Sequence, residues 1–251
     1  MYMLRTRFKK DIVAEFMPPL RKGRPGRVII LLDGMPAMPS KQTLAEFLAL
    51  KGFWVIHPRL RGTWESGGRF LKIPPEKDLV DILDELPRGL REIEKGRKFA
   101  LKPREIYVIG VSFGGAGAIL STLDSRVTKA VAICPVVDWS KSRKAGHKQF
   151  GDFIRRAFGE GYRYEERDWN KLLQGRFYNP AQHIGKLDPK KMLLFHAKDD
   201  RSIPWKFVAD FARKTGAKLH LYTRGGHLPM NKTVRTRWNE IRKFLKPANK
   251  K

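Results

Sequence analysis

The chain has 251 residues, and 52 Lys+Arg against 25 Asp+Glu give a formal net charge of +27. Hydrophobic content of 41% is enough to bury a core, so the charge does not imply a disordered chain. The single Cys134 excludes a disulfide framework or a thiolate-rich zinc site and points to a reducing compartment. Arg5, Arg7, Lys9, Lys10, Asp11 and Glu15 do not suit a signal-peptide core. The longest aliphatic run, 28–32, falls far short of the roughly 20 residues that span a bilayer. We expect a soluble, cytoplasmic protein with no membrane insertion, its residues 1–251 forming one domain.

In chain order, apolar or β-branched runs predict strands at 11–16, 27–32, 53–57, 105–109, 128–134, 191–196 and 218–222. Amphipathic stretches between them predict helices at 40–51, 76–95, 113–124, 203–214 and 232–245. Ser40 is a candidate cap for the first helix, and Gly52 follows its end. Strands apolar throughout suit parallel pairing covered on both faces, and their alternation with helices implies right-handed crossovers. The fold class is therefore α/β, with a mostly parallel central sheet of seven or eight strands and helices on both faces. One interval breaks the rhythm. Residues 138–180 hold no good strand but carry Trp139, Phe150, Phe153, Phe158, Tyr162, Tyr164, Trp169, Phe177 and Tyr178. A stretch this long suits a lid (cap) insertion with structure of its own. Its rings can pack it onto the sheet, line a substrate pocket, or do both.

The segment 107–118 brings an apolar strand directly into Gly110-Val111-Ser112-Phe113-Gly114, followed by a run of small residues. This is the context of a nucleophile elbow, in which a serine sits on a strained strand-to-helix turn. Side chains two before and two after it would meet the neighbouring strand and helix. Small residues then let the helix lie close to the sheet, its positive end facing the serine oxygen. A phosphate-binding turn is the rival reading, but the Lys-Ser/Thr ending of a P-loop is absent.

A hydroxyl nucleophile needs a base, and the base needs an orienting carboxylate, in the chain order Ser, Asp/Glu, His on this fold. Asp199 and Asp200 lie just past the strand 191–196, and His227 follows the next strand behind Gly225-Gly226. Loops outside the carboxyl ends of the strands are where an open α/β sheet builds its site. Of the other histidines, His57 and His196 sit at strand ends and suit structural roles. His147 and His183 fall in the interval 138–180, and His220 lies within a strand. An oxyanion hole needs two backbone N–H groups. Phe113, after the nucleophile, supplies one; Met35, in the loop after the strand 27–32, is the best second donor because Pro36 has no N–H.

These segments resemble serine hydrolases of the α/β-hydrolase fold, most closely esterases and the catalytic domain of the prolyl oligopeptidase group. The likeness runs over about residues 27 to 230. It rests on Asp33-Gly34, on His57-Pro58-Arg59-Leu60-Arg61-Gly62 with Ser66-Gly67-Gly68, on the Ser112 elbow, and on Asp199-Asp200-Arg201-Ser202-Ile203-Pro204 with Gly226-His227. The resemblance implies that the catalytic carboxylate is the earlier of the pair, Asp199, with Asp200 the alternative. It also implies a short helical insertion over 138–180. Two positions depart from the pattern: Asp33 stands where His is common, and Arg59 where an acidic residue is common.

The expected activity is hydrolysis of carboxylic esters through an acyl-enzyme on Ser112, with no metal or organic cofactor. The alternatives are a peptidase acting on short or acylated peptides, and a catalytically inactive binding protein on the same fold. The expected partners are a small-molecule ester or a short peptide. Residues 211–251 hold 12 Lys/Arg and one Glu, whereas 76–94 hold seven acids and three bases. No nucleic-acid motif accompanies the basic residues, so no specific nucleic-acid partner is expected. Lys232, Arg235, Arg237, Arg242, Lys243 and Lys246 read as the solvated face of a terminal helix packed through Val234, Trp238, Ile241 and Leu245.

Overall fold

The computed structural model describes residues 2–141 and 144–246. Its strands are β1 (Leu4–Phe8), β2 (Ile12–Met17), β3 (Arg27–Leu32), β4 (Trp54–Pro58), β5 (Leu90–Arg91), β6 (Lys98–Phe99), β7 (Glu105–Val111), β8 (Val127–Ile133), β9 (Met192–Ala197) and β10 (Lys218–Tyr222). Eight of them form one sheet in the order β1-β2-β4-β3-β7-β8-β9-β10, and β5 pairs with β6 as a separate hairpin. From β4 to β10 every pairing is parallel, while β1–β2 and β2–β4 are antiparallel. The expected α/β architecture is thus present.

Strand periodicity sets the two layers. In β3, Val28, Ile30 and Leu32 face one core, and Ile29 and Leu31 face the other. The first core is closed by α2 (Glu76–Glu85), α3 (Phe113–Ser121) and α6 (Trp205–Thr215), through residues such as Leu79, Ile82, Ile119, Val208 and Phe211. The second is closed by α1 (Gln42–Ala49), α7 (Met230–Thr236) and α8 (Trp238–Leu245), through Leu44, Leu48, Val234, Ile241 and Leu245. Each such buried aliphatic side chain contributes about 1.5–3 kcal/mol.

Three local differences from the sequence expectation have clear causes. β1 reads Leu-Arg-Thr-Arg-Phe and is buried on one face only, as suits an edge strand. The turn into β2 places Lys9 and Lys10 at φ +48° and +72°, where Asn or Gly would have announced a hairpin. The helix expected over 76–95 ends at Glu85, because Leu86-Pro87-Arg88 form a 3-10 turn ending at Gly89 with φ +81°, and the β5–β6 hairpin follows. The terminal helix breaks at Arg237, φ −105° and ψ 18°, into α7 and α8. Its Val234, Ile241 and Leu245 are buried, and Lys232, Arg235, Arg242, Lys243 and Lys246 are exposed, as expected; Arg237 instead lies over the Tyr222 ring at 4.3 Å.

Within 138–180 the described residues form α4 (Lys144–Phe158), α5 (Glu166–Asn170) and short 3-10 turns. They enclose a third apolar cluster with Met35, Phe70 and Phe113, built from Trp139, Ile154, Tyr162, Trp169, Leu172 and Tyr178. Asn179, which is 1% exposed, ties the two ends of this segment together. Its carbonyl oxygen accepts from Trp139 N at 3.2 Å, and its amide donates to Asp138 Oδ1 at 3.2 Å and to Gly175 O at 2.8 Å.

Candidate active site

Ser112 occupies the turn between β7 and α3 with φ +54° and ψ −114°, a conformation costing about 1–3 kcal/mol that only a well-determined surrounding holds. The flanking glycines explain how it persists. A Cβ on Gly110 would lie 2.0 Å from Gly114 O, and one on Gly114 would lie 2.3 Å from Leu32 O. Backbone bonds fix the turn further: Ser112 N–H donates to Ile133 O at 2.9 Å, and Ser112 O accepts from Gly115 N at 3.0 Å and Val136 N at 3.1 Å.

The turn after β9 carries Asp199 and Asp200, and here the expectation is corrected. Asp200, not Asp199, meets His227: Asp200 Oδ2 lies 2.8 Å from His227 Nδ1. Asp200 Oδ1 accepts from Ser202 N at 2.8 Å and Ile203 N at 3.0 Å. Burial alone would raise its pKa, but the bonds from His227, Ile203 and Ser202 prevail and hold the carboxyl at about 2. Asp199 is exposed and accepts from Gly226 N at 2.8 Å and Gly225 N at 3.2 Å. Those two bonds, Gly226 first, hold its pKa down. The outward carboxylate thus clamps the glycine loop that carries His227, and the inward one engages the ring.

Cys134 and His196, both buried, complete the shell around Asp200. Donor atoms of the three residues lie within 4.8 Å of one another, a spacing that could hold a metal ion. Burial, and then the Asp200 charge, push the Cys134 thiol well up, so it keeps its proton and hydrogen-bonds to Asp200. His196 donates through Nε2 to Ile203 O at 3.0 Å, and burial holds its pKa down, so it stays neutral. Within the fold the trio is tied together by hydrogen bonds, Cys134 to Asp200 and His196 to the Ile203 carbonyl of the same turn.

The loop after β3 approaches the serine closely: a Cβ on Gly34 would lie 3.3 Å from Ser112 Cβ. Asp33 anchors it, with Oδ2 2.8 Å from His57 Nε2 and Oδ1 2.6 Å from Lys41 Nζ. His57 Nδ1 in turn lies 2.9 Å from Arg59 Nη1 and 3.5 Å from Glu15 Oε2, and Arg59 pairs with Glu15 at 2.9 Å. The result is a chain of paired polar groups, Glu15–Arg59–His57–Asp33–Lys41. It holds Glu15 at a pKa of about 2, since His57 and Arg59 together outweigh the effect of its burial. Arg59 is therefore buried with its own counter-ion. Lys41 turns inward at the start of α1, where Ser40 was the expected cap and no side-chain cap forms.

Ser112, Phe113, Met35 and His227 all line one cavity of about 1120 Å³. Trp139, His147 and Phe150 from the segment 138–180 form part of its wall, with Ile203, Phe207 and Leu228 opposite in sequence. Most rings of that segment pack, and Trp139 and Phe150 also face the cavity. His147 is buried, stacks on Trp169 at 4.7 Å and is held neutral by burial. Among the described residues no hydrogen bond joins Ser112 to His227, whose Nδ1 is taken by Asp200.

A family model described as an alpha/beta hydrolase family matches residues 39–235 of the chain. The chain belongs to the alpha/beta hydrolase family. Solved structures similar to this hydrolase include the esterase Pf2001 of Pyrococcus furiosus, with TM-score 0.68, 18% identity and coverage of 98% of this chain and 90% of that one. The acylaminoacyl peptidase of Pyrococcus horikoshii gives TM-score 0.67 at 15% identity, covering 99% of this chain but 42% of that one. Est1E from Butyrivibrio proteoclasticus gives TM-score 0.62 at 13% identity, covering 98% and 99%. At these identities the likeness is one of fold. A comparison with curated proteins finds no match. Among the described residues no helix of this hydrolase is long and apolar enough to cross a membrane.

Proposed function

We propose that this hydrolase cleaves carboxylic esters through an acyl-enzyme on Ser112, with His227 as base and Asp200 as its orienting carboxylate. The observation that carries the reading is that His227, paired with the buried Asp200, lines the same cavity as a serine at φ +54°. With Nδ1–H donated to Asp200, Nε2 is the nitrogen that takes the Ser112 proton as Oγ attacks the ester carbonyl. The tetrahedral oxyanion is stabilised by the Phe113 and Met35 N–H groups. Collapse expels the alcohol, protonated by the imidazolium. Water, deprotonated by the same nitrogen, then releases the acid from Ser112. No cofactor takes part in these steps.

Segment 138–180 acts as a lid over the cavity in this reading. The esterase neighbours favour esters; the acylaminoacyl peptidase neighbour keeps short or acylated peptides as the second substrate class. Aryl esters against peptide anilides separate the two. Ser112→Ala is expected to keep the fold and lose nearly all turnover and all labelling by a fluorophosphonate probe. Ester hydrolysis at the wild-type rate by that variant would overturn the mechanism.

A further inference from the structure

Segment 138–180 returns to the main core at Tyr178, and there one side chain reaches into the helix that follows the nucleophile. The Tyr178 ring lies 4.7 Å, centroid to centroid, from Phe113, and its hydroxyl donates to Phe113 O at 2.9 Å. In a regular helix the carbonyl of residue 113 accepts from the N–H of residue 117, so the hydroxyl is a second donor to an acceptor of the first helical rung. A Cβ on Gly117 would lie 2.6 Å from that hydroxyl, so this approach requires glycine there.

The arrangement is strongly held. Tyr178 is 2% exposed and keeps φ +50°, a strained value for a residue with a side chain. Burial, then the charge of Glu76, push its pKa well up, so the hydroxyl retains its proton and stays a donor. Its neighbour Asn179 is bonded to Asp138, Trp139 and Gly175, which fixes the chain on either side of the segment. The first turn of α3 is thus bonded from outside by the root of the segment that covers the cavity.

We propose that Tyr178 is a positioning residue for the oxyanion hole: its hydroxyl holds the Phe113 carbonyl and so the first turn of α3, the helix whose first residue carries the donor N–H, while the bonds to Ser112 O orient the peptide of that N–H itself. This rests on the reading of Ser112 as nucleophile and Phe113 as donor. The inference assigns the segment 138–180 a part in the chemistry as well as in covering the cavity. Loss of the hydroxyl affects the state with charge on the oxyanion more than it affects the bound ester.

Tyr178→Phe keeps the ring and removes the hydroxyl. Per site titrated with a fluorophosphonate, its kcat for a p-nitrophenyl ester is expected to fall about tenfold with KM within about twofold. Affinity for phenylboronic acid, which forms a tetrahedral anion on a serine, should weaken by about the same factor. Gly117→Ala, which displaces the hydroxyl while keeping the phenol, should give the same pattern, and it decides the matter if Tyr178→Phe does not fold. Wild-type kcat and boronate affinity per titrated site would overturn the proposal, as would a change confined to KM. A wild-type protein that neither labels nor hydrolyses esters would instead overturn the serine-hydrolase reading on which the proposal stands.

Discussion

Asp199 and Asp200 are covalent neighbours, yet their carboxylates meet different surroundings. One faces solvent and two glycine amides; the other is buried against an imidazole and two backbone donors. Asp200→Asn should lower kcat/KM by about 10³–10⁴, because the amide cannot hold the His227 tautomer or stabilise the imidazolium. Asp199→Asn should cost less than about tenfold, since an amide oxygen still accepts from a glycine N–H. Kinetics on the two variants with one aryl ester rank the carboxylates, and the reverse order would restore Asp199. The same residue carries a pH effect. Its folded pKa of about 2 lies below the ordinary 3.8, so its stabilisation is full above about pH 4 and is lost as pH falls towards 2. The shift corresponds to about 2 kcal/mol. Urea denaturation of wild type and Asp200→Asn should therefore converge across that window, and a constant gap down to pH 2 would contradict the assignment.

At the scale of elements, short polar bridges hold the parts that shape the cavity. Asn179 is the clearest case, because its one side chain spans both ends of the segment 138–180. Asn179→Ala leaves the Trp139 N–H and the Gly175 carbonyl without that partner in a buried setting, which costs about 2–3 kcal/mol. Thermal unfolding should show a lower Tm by roughly 5–10 °C for a chain of this size. Ester kinetics should show a raised KM, since Trp139 forms part of the cavity wall. An unchanged Tm would remove Asn179 as the tie. The loop after β3 is held in the same manner, by Asp33 between His57 and Lys41. In both places a polar side chain bonded to residues elsewhere in the chain fixes a segment that lines the cavity.

For the molecule as a whole, the charge of +27 is not gathered at the cavity, where Lys41 and Lys141 are matched by Asp33 and Asp138 among the lining residues. Part of the acidic helix α2 is paired internally: Arg61 alone meets its Asp78 at 2.6 Å and Asp81 at 2.8 Å, and also Asp11 from the turn before β2 at 2.7 Å. The bases of α7 and α8 stay exposed without such partners in comparable number, which leaves a positive surface there. The expected consequence is attraction to any polyanion, falling steeply with salt and indifferent to sequence. Two unrelated DNA duplexes followed by fluorescence anisotropy should bind alike at low salt and be released together as salt rises. A preference for one duplex that survives high salt would indicate a specific nucleic-acid partner instead.

The strand–helix alternation, the elbow around Ser112 and the place of His227 were legible in the sequence because each depends on neighbouring residues: periodicity, a glycine two positions away, a loop after a strand. The β1 edge strand and the early end of α2 were less legible, since Lys9-Lys10 and Arg-containing strands carry weak local signals. What only tertiary structure decided was which of two adjacent carboxylates faces the histidine. It also decided that Tyr178 reaches Phe113 and that Arg59 brings Glu15 with it. These are relations between residues far apart in the chain, set by how side chains orient once the sheet and its covering segment pack. Local pattern contains no information about that orientation.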